Sequence, residues 1–340
     1  MNGYQRIEAA LSGRMPDCRP VMLHNFLYAA ERSAINMKQY REDPRLAANC
    51  LIESVERYGL DGVLFDVDTA LLASAIGVPT DYPVDDPART FQPLLVNLAD
   101  VHQLERIDIS TNTRIEHALE TVNILKEYFK DEVYVRGNCD QCPFSLATMV
   151  RTPVNFMLDL MLDEENAVNL LKYCTDITRQ MIRLMSATGA DMVSNGDSPA
   201  GPEMISPDMY RKFALPYERE IVKEAHDCHK PYLLHICGNT DLILDDMAGL
   251  GLDAVELDYK TSIHKIYDVL HDKCTLFGTI DPVGVLTYGN VHDVAQKTIE
   301  LLELYRDCPQ LVINAGCAIP RHAPHENVKC FVDTAHRWFM

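Results

Sequence analysis

Positive charge is scarce in this chain. It has 31 lysines and arginines against 50 aspartates and glutamates, a formal net charge of −19. That deficit excludes a general nucleic-acid binder or a protein held on anionic membranes, since both need a basic surface. A small anionic ligand in a locally basic pocket remains compatible with it. No apolar run approaches the roughly 20 residues that span a bilayer. The first residues, MNGYQRIEAALSGRMPD, lack the basic and apolar regions of a secretory signal, so a cytoplasmic location is expected. No like-charge block, disordered tail, internal repeat, low-complexity segment or linker divides the chain, and one domain over 1–340 is expected. The 11 cysteines are odd in number and scattered, which argues against a disulfide framework and for reduced, mostly buried thiols.

What is present is ordinary for a packed chain of 340 residues: 47% hydrophobic and 24% charged. Eight short apolar runs recur along it. They are PVMLHNF (20–26), GVLFDVD (62–68), EVYVRGN (132–138), ADMVSNG (190–196), PYLLHIC (231–237), AVELDY (254–259), CTLFGTI (274–280) and QLVINAG (310–316). Each has the near-continuous hydrophobicity of a strand buried on both faces. Helical patterns lie between them, at 45–58, 113–129, 164–188, 206–228, 241–250, 263–271, 291–305 and 326–339. Ser206 followed by Pro207 is a helix start signal.

Eight alternating β and α units predict a closed parallel (β/α)8 TIM barrel, preceded by an N-terminal helical extension. An open doubly wound sheet is the competing geometry, but its Gly-rich turn after the first strand is missing. The stretch 79–109, rich in prolines and acids, reads as an insertion after strand 2 that covers part of the barrel mouth.

Barrels of this kind carry their chemistry at the C-terminal strand ends. Here those ends hold Asp66 and Asp68, Asn138, Asp197, His235 and Cys237, Asp258, Asp281 and Cys317. Strand ends meet solvent and are polar anyway, but His, Cys and carboxylate together on several ends predict one polar site. His235 and Cys237 are two apart on one strand, so their side chains point the same way. Cys317 follows the last strand, and barrel closure returns it to the same rim. A Cys2His set leaves one position open, the pattern of catalytic zinc, and thiolates favour zinc over magnesium or calcium. The plain alternative is a buried histidine with two inert thiols. Asp197 is a candidate fourth ligand displaced by substrate, or a carboxylate orienting His235, with Glu203 as its rival and helix capping as the structural alternative.

Cys139 and Cys142 form a C-x-x-C after strand 3. No thioredoxin-like unit or second C-x-x-C accompanies it, which favours a structural or substrate-lining role over a redox pair. His226, Cys228 and His229 precede strand 5 at the opposite end of the barrel, where capping and solvation account for them.

Several motifs together resemble the uroporphyrinogen decarboxylase superfamily. They are LHICGNT (234–240), FGTIDP (277–282), NAGCAIP (314–320), PHENVK (324–329), RIEAALSG (6–13) and CPFSLA (142–147), spread over essentially the whole chain. The combination of His-x-Cys with the later Gly-Cys-x-x-Pro resembles the zinc-dependent methylcobalamin:coenzyme M methyltransferase branch. The resemblance implies zinc on His235, Cys237 and Cys317. It implies a small thiol substrate held as thiolate, and a methylated corrinoid co-substrate brought by a separate small corrinoid protein. Asn138, Asn239 and Asp281 are the candidates to line the cofactor, and His24, Arg136 and Arg321 to meet a sulfonate. Decarboxylation of a tetrapyrrole is the alternative activity, with Asp68 matching the decarboxylases' catalytic aspartate. Those enzymes carry an arginine-rich motif after strand 1, and here residues 22–30 (MLHNFLYAA) contain no arginine to clamp carboxylates. A third class is a zinc- or corrinoid-binding protein without turnover.

Overall fold

The computed structural model describes residues 1–66 and 68–339. Val67, inside the second expected strand, and Met340 lie outside them. Eight parallel strands follow one another in sheet order: β1 (Met22–Leu23), β2 (Gly62–Phe65), β3 (Tyr134–Gln141), β4 (Met192–Gly196), β5 (Tyr232–Ile236), β6 (Ala254–Leu257), β7 (Thr275–Thr279) and β8 (Leu311–Asn314). A parallel bridge between Val21 and Ile313 joins the last strand to the first. Helices run between the strands, so the fold is a (β/α)8 TIM barrel.

One side chain from each strand packs the lower barrel: Met22, Leu64, Tyr134, Met192, Leu233, Ala254, Phe277 and Val312. The N-terminal helix Gly3–Leu11 plugs this end with Ile7 and Ala10, which belong to the same cluster. Space there is tight, since a Cβ on Gly62 would fall 2.2 Å from Met22 Cε and 2.7 Å from Ile7 Cδ1. A second, larger core fills the space between strands and helices. Helix Glu164–Ala187 supplies Leu170, Leu171, Cys174, Ile177 and Met181 to it, an apolar stripe of helical period.

The expected helix 206–228 is two helices, Pro207–Phe213 and Leu215–Asp227, broken at Ala214 ahead of Pro216, which has no N–H to donate. Helices Phe26–Arg32, Met37–Glu42, Leu71–Ala75, Pro143–Arg151 and Pro153–Leu162 add to those expected. β3 continues past Asn138 through a bulge in which Asp140 adopts φ +62° and accepts a hydrogen bond from the Leu72 amide at 2.7 Å. Cys139 therefore sits within a strand rather than after it. The insertion after β2 contains an antiparallel pair, Thr80–Asp81 with Arg89–Thr90. It is tied to the mouth side by Arg321 on Asp86 (3.0 Å), Arg41 on the Asp86 carbonyl (3.0 Å) and Leu94 on the Val150 carbonyl (2.9 Å).

Candidate active site

Two residues above the apolar layer, alternation along the same strands brings up His24, Asp66, Arg136, Ser194, His235, Glu256 and Asn314. The barrel interior thus changes from hydrocarbon to a polar layer. Arg136 pairs with Glu256 and donates from Nε to Ser194 Oγ at 2.8 Å. His24 bridges Glu256 (Nδ1–Oε1 2.9 Å) and Asp66 (Nε2–Oδ2 2.7 Å), and Asn138 Nδ2 donates to Asp66 Oδ1 at 2.7 Å. Burial alone would push the His24 ring down, but Glu256 and Asp66 outweigh it and hold the ring up at about 10. Glu256 is held well below the carboxylate range: burial opposes its charge, and Arg136 and then His24 overcome that.

Above this layer, His235, Cys237 and Cys317 converge. One ligand atom from each lies within 4.8 Å of the others. His235 Nε2 is 2.9 Å from Cys237 Sγ, and the two sulfurs are 3.5 Å apart, well beyond a disulfide bond. His235 Nδ1 lies 3.0 Å from the Glu256 carbonyl oxygen. A carbonyl only accepts, so Nδ1 carries a proton, and Nε2 is the ring nitrogen turned to the sulfurs, free to ligate a metal once its own proton has left. Without metal, the hydrogen bond from Cys317 and then the His235 charge hold the Cys237 thiol well below its usual range, and the same coupling pushes Cys317 up. Burial opposes a charge on His235, yet Cys237 and Glu256 raise the ring to about 9. Two sulfurs and an oriented imidazole nitrogen at the mouth of a barrel are a donor set suited to a soft or borderline metal ion.

Two glycines place the sulfurs. Gly238 follows Cys237 at φ +85°, and a Cβ there would meet Glu203 Cδ at 2.8 Å. Its amide donates to Asp258 Oδ2 at 3.0 Å. Gly316 precedes Cys317 at φ +76°, and a Cβ there would fall 2.1 Å from the Leu257 carbonyl oxygen. Only a residue without a side chain lets the β8 turn pass so close to β6.

The other expected residues divide. Asn138 joins the polar layer through Asp66. Asn239 is exposed on the rim, where its Oδ1 accepts the Asp241 amide at 2.8 Å. Asp281 caps the turn after β7, accepting Val283 N (2.9 Å) and Gly284 N (2.8 Å), and is the largest influence raising the nearby Tyr259 phenol. Glu203 lies over the Cys237 turn, accepting from Asn239 N and Lys260 Nζ, each at 3.4 Å.

Asp197 requires a correction. Its fully buried carboxylate accepts Ser145 N (2.9 Å) and Oγ (2.5 Å) and is coupled to the buried carboxyl of Glu218. It neither joins the three-atom cluster nor orients His235, whose Nδ1 is taken by the Glu256 carbonyl. Burial pushes the Asp197 and Glu218 carboxyls up, as for two acids packed face to face. Asp68 stands outside the thiol–imidazole cluster too. It lies under the insertion, beside Arg41 (3.3 Å) and the Ala88 amide (3.3 Å), and lines a small pocket with Tyr40, Arg41 and Phe65. Asp66 is the β2-end acid that meets His24 and Asn138.

Of the cations expected to meet a sulfonate, Arg136 is committed to Glu256 and Arg321 to the insertion at Asp86. Cys139 and Cys142 are fully buried, and burial pushes both thiols up, which suits structural thiols. His226 pairs with Asp253 at 2.8 Å at the end of its helix, away from the mouth. Glu256 was not singled out from the sequence. Its signal is an acid in the middle of the buried run AVELDY, ahead of Asp258 and on the same strand face as Ala254.

These features define a class: an α/β barrel with a thiol–imidazole cluster at the C-terminal mouth. The family model for uroporphyrinogen decarboxylase (URO-D) matches residues 3–338, and the chain belongs to that family. It is 30% identical over 242 residues to the methylcobamide:CoM methyltransferase MtbA of Methanosarcina mazei, covering 71% of this chain and 69% of that one. It is 26% identical over 317 residues to the uroporphyrinogen decarboxylase of Syntrophotalea carbinolica, covering 91% and 89%. Among solved structures, a methyltransferase from Methanosarcina mazei superposes with a TM-score of 0.91 at 24% identity over the whole of both chains, the same fold throughout.

Proposed function

We propose that this protein is a zinc-dependent methyltransferase that moves a methyl group from a methylated corrinoid to a small thiol. The observation that carries this is the meeting of His235, Cys237 and Cys317 at the barrel mouth, with His235 Nε2 turned to the sulfurs. Similarity to methylcobamide:CoM methyltransferases supports it. So does the arginine-free stretch after β1, where a decarboxylase would need cations for a polycarboxylate.

His235, Cys237 and Cys317 would hold the metal and leave one position open. Zinc bound there would lower the pKa of a thiol substrate, so that thiolate is available at neutral pH. The thiol sulfur would take the methyl group from the corrinoid, forming S–CH3 as Co–CH3 breaks, with that bond's electron pair left on cobalt as Co(I) and the thiol proton released. The chain's own residues orient this chemistry. The Glu256 carbonyl fixes the His235 tautomer, and Arg136 and His24 hold the Glu256 carboxylate below it. Asn138, Asn239 and Asp281 stand around the mouth, where a corrinoid carried by a small partner protein would present its methyl group. A reducing cytoplasm suits a reaction that needs free thiolates, and all eleven cysteines are free. No described helix is long and apolar enough to cross a membrane.

The test is metal content by elemental analysis together with methylcobalamin demethylation followed by absorbance. About one zinc per chain, lost in His235→Ala along with thiol-dependent demethylation, is the expected result. Zinc-free protein under metal-replete conditions would remove the basis of the reading.

A further inference from the structure

The proposed reaction leaves open which thiol is methylated, and the charges at the mouth bear on that choice. A thiol with a sulfonate or carboxylate tail needs a cation that is free to meet it. Buried without one, such an anion loses its hydration uncompensated. Arg136 is 3% exposed and forms an ion pair with Glu256 while its Nε serves Ser194. His24 uses one ring nitrogen on Glu256 and the other on Asp66, so neither N–H is left to offer. Arg41 is buried against Asp68, and Arg321 reaches outward to Asp86. Lys260, on the rim, contacts Glu203 at 3.4 Å.

Acids outnumber these cations. Glu256 and Asp66 balance Arg136 and His24, and Glu203 balances Lys260. Among the described residues Asp258 and Asp281 form no ion pair: backbone amides satisfy both, and Asp258 shares the field of Lys260 with Glu203. A divalent metal would add nothing to this sum once Cys237 and Cys317 bind it as thiolates. The rim field is felt at Tyr259, whose exposed phenol is pushed up by Asp281 first. A sulfonate entering this mouth would face unbalanced carboxylates, or would have to take Arg136 from Glu256 and leave a bare buried carboxylate behind.

Resting on the methyl-transfer reading, we infer that the acceptor is a thiol whose far end carries no negative charge, uncharged or cationic, and not a sulfonate-bearing thiol of the coenzyme M type. The site selects by exclusion, since the cations named above already face carboxylates.

Three thiols on one two-carbon skeleton test this: 2-mercaptoethanesulfonate, 2-mercaptoethanol and 2-aminoethanethiol. Each is titrated by calorimetry into the zinc-loaded protein, and each is assayed with methylcobalamin after subtracting the protein-free rate and scaling for its own thiolate fraction. The sulfonate is expected to bind at least about tenfold more weakly than the amine, with kcat/KM in the same order. Sulfonate binding equal to or tighter than the other two overturns the inference, as does no measurable binding of any of them. If the thiols bind in the expected order but none is methylated, the charge selection stands and the methyl-transfer reading falls.

Discussion

His24 carries its charge inside the barrel because two carboxylates hold it there, and this has a pH consequence. Its folded value of about 10 lies above the ordinary 6.5. The stability it contributes is therefore fully present below pH 6.5 and is lost as pH rises through about 10. Urea titrations at pH 7 and above pH 10 should show that loss, with a smaller slope in His24→Gln. Ring NMR signals should still report an imidazolium at pH 8. Glu256 is the partner that matters most to this group. Glu256→Gln leaves Arg136 and His24 without their shared anion, and a broken buried pair costs about 3–5 kcal/mol. A denaturation midpoint unchanged from the parent protein would show that water or another acid replaces it.

At the scale of elements, the turns carry the site. β8 can deliver Cys317 to the β5 rim only because Gly316 passes against the Leu257 carbonyl in a left-handed conformation. Gly316→Ala is expected to cost more than about 1 kcal/mol of stability and to weaken metal binding together. Chemical denaturation and competition with a chelating dye measure the two effects, and normal metal affinity in a destabilised variant would separate the turn from the site. The N-terminal helix acts at the other end. Ile7 is fully buried in the lower cluster, so Ile7→Ala should cost about 2–5 kcal/mol while leaving the zinc stoichiometry unchanged.

Over the whole molecule, the barrel separates its tasks along its axis. An apolar layer closed by the N-terminal helix supplies stability, a charged layer follows two residues up each strand, and the thiol–imidazole cluster stands at the top. Fixed groups in the middle layer can hold the cluster because their own partners lie within the barrel, where water does not compete. The net charge of −19 is consistent with a mouth that repels small anions, although the pairing at the mouth decides selectivity more directly than the total.

Much of this was legible from one strand at a time. The eight buried runs, the helix 113–129, the shared side of His235 and Cys237, and the polar strand ends all follow from local periodicity, which depends only on neighbours in the chain. The break at Ala214, the bulge at Asp140 and the helices between 143 and 162 were hidden, because each depends on what the segment packs against. The direction of a carboxylate was hidden too. Asp197 turns to Ser145 and Glu218, Asp68 to Arg41, and Glu256 to the axis. By itself the sequence determined a parallel barrel and the residue types at its mouth, since strand period and strand count are properties of the chain. Only the tertiary structure decided which acids meet which cations, because such pairs join distant residues, His24 and Glu256 being 232 positions apart, and their distance is set by barrel closure.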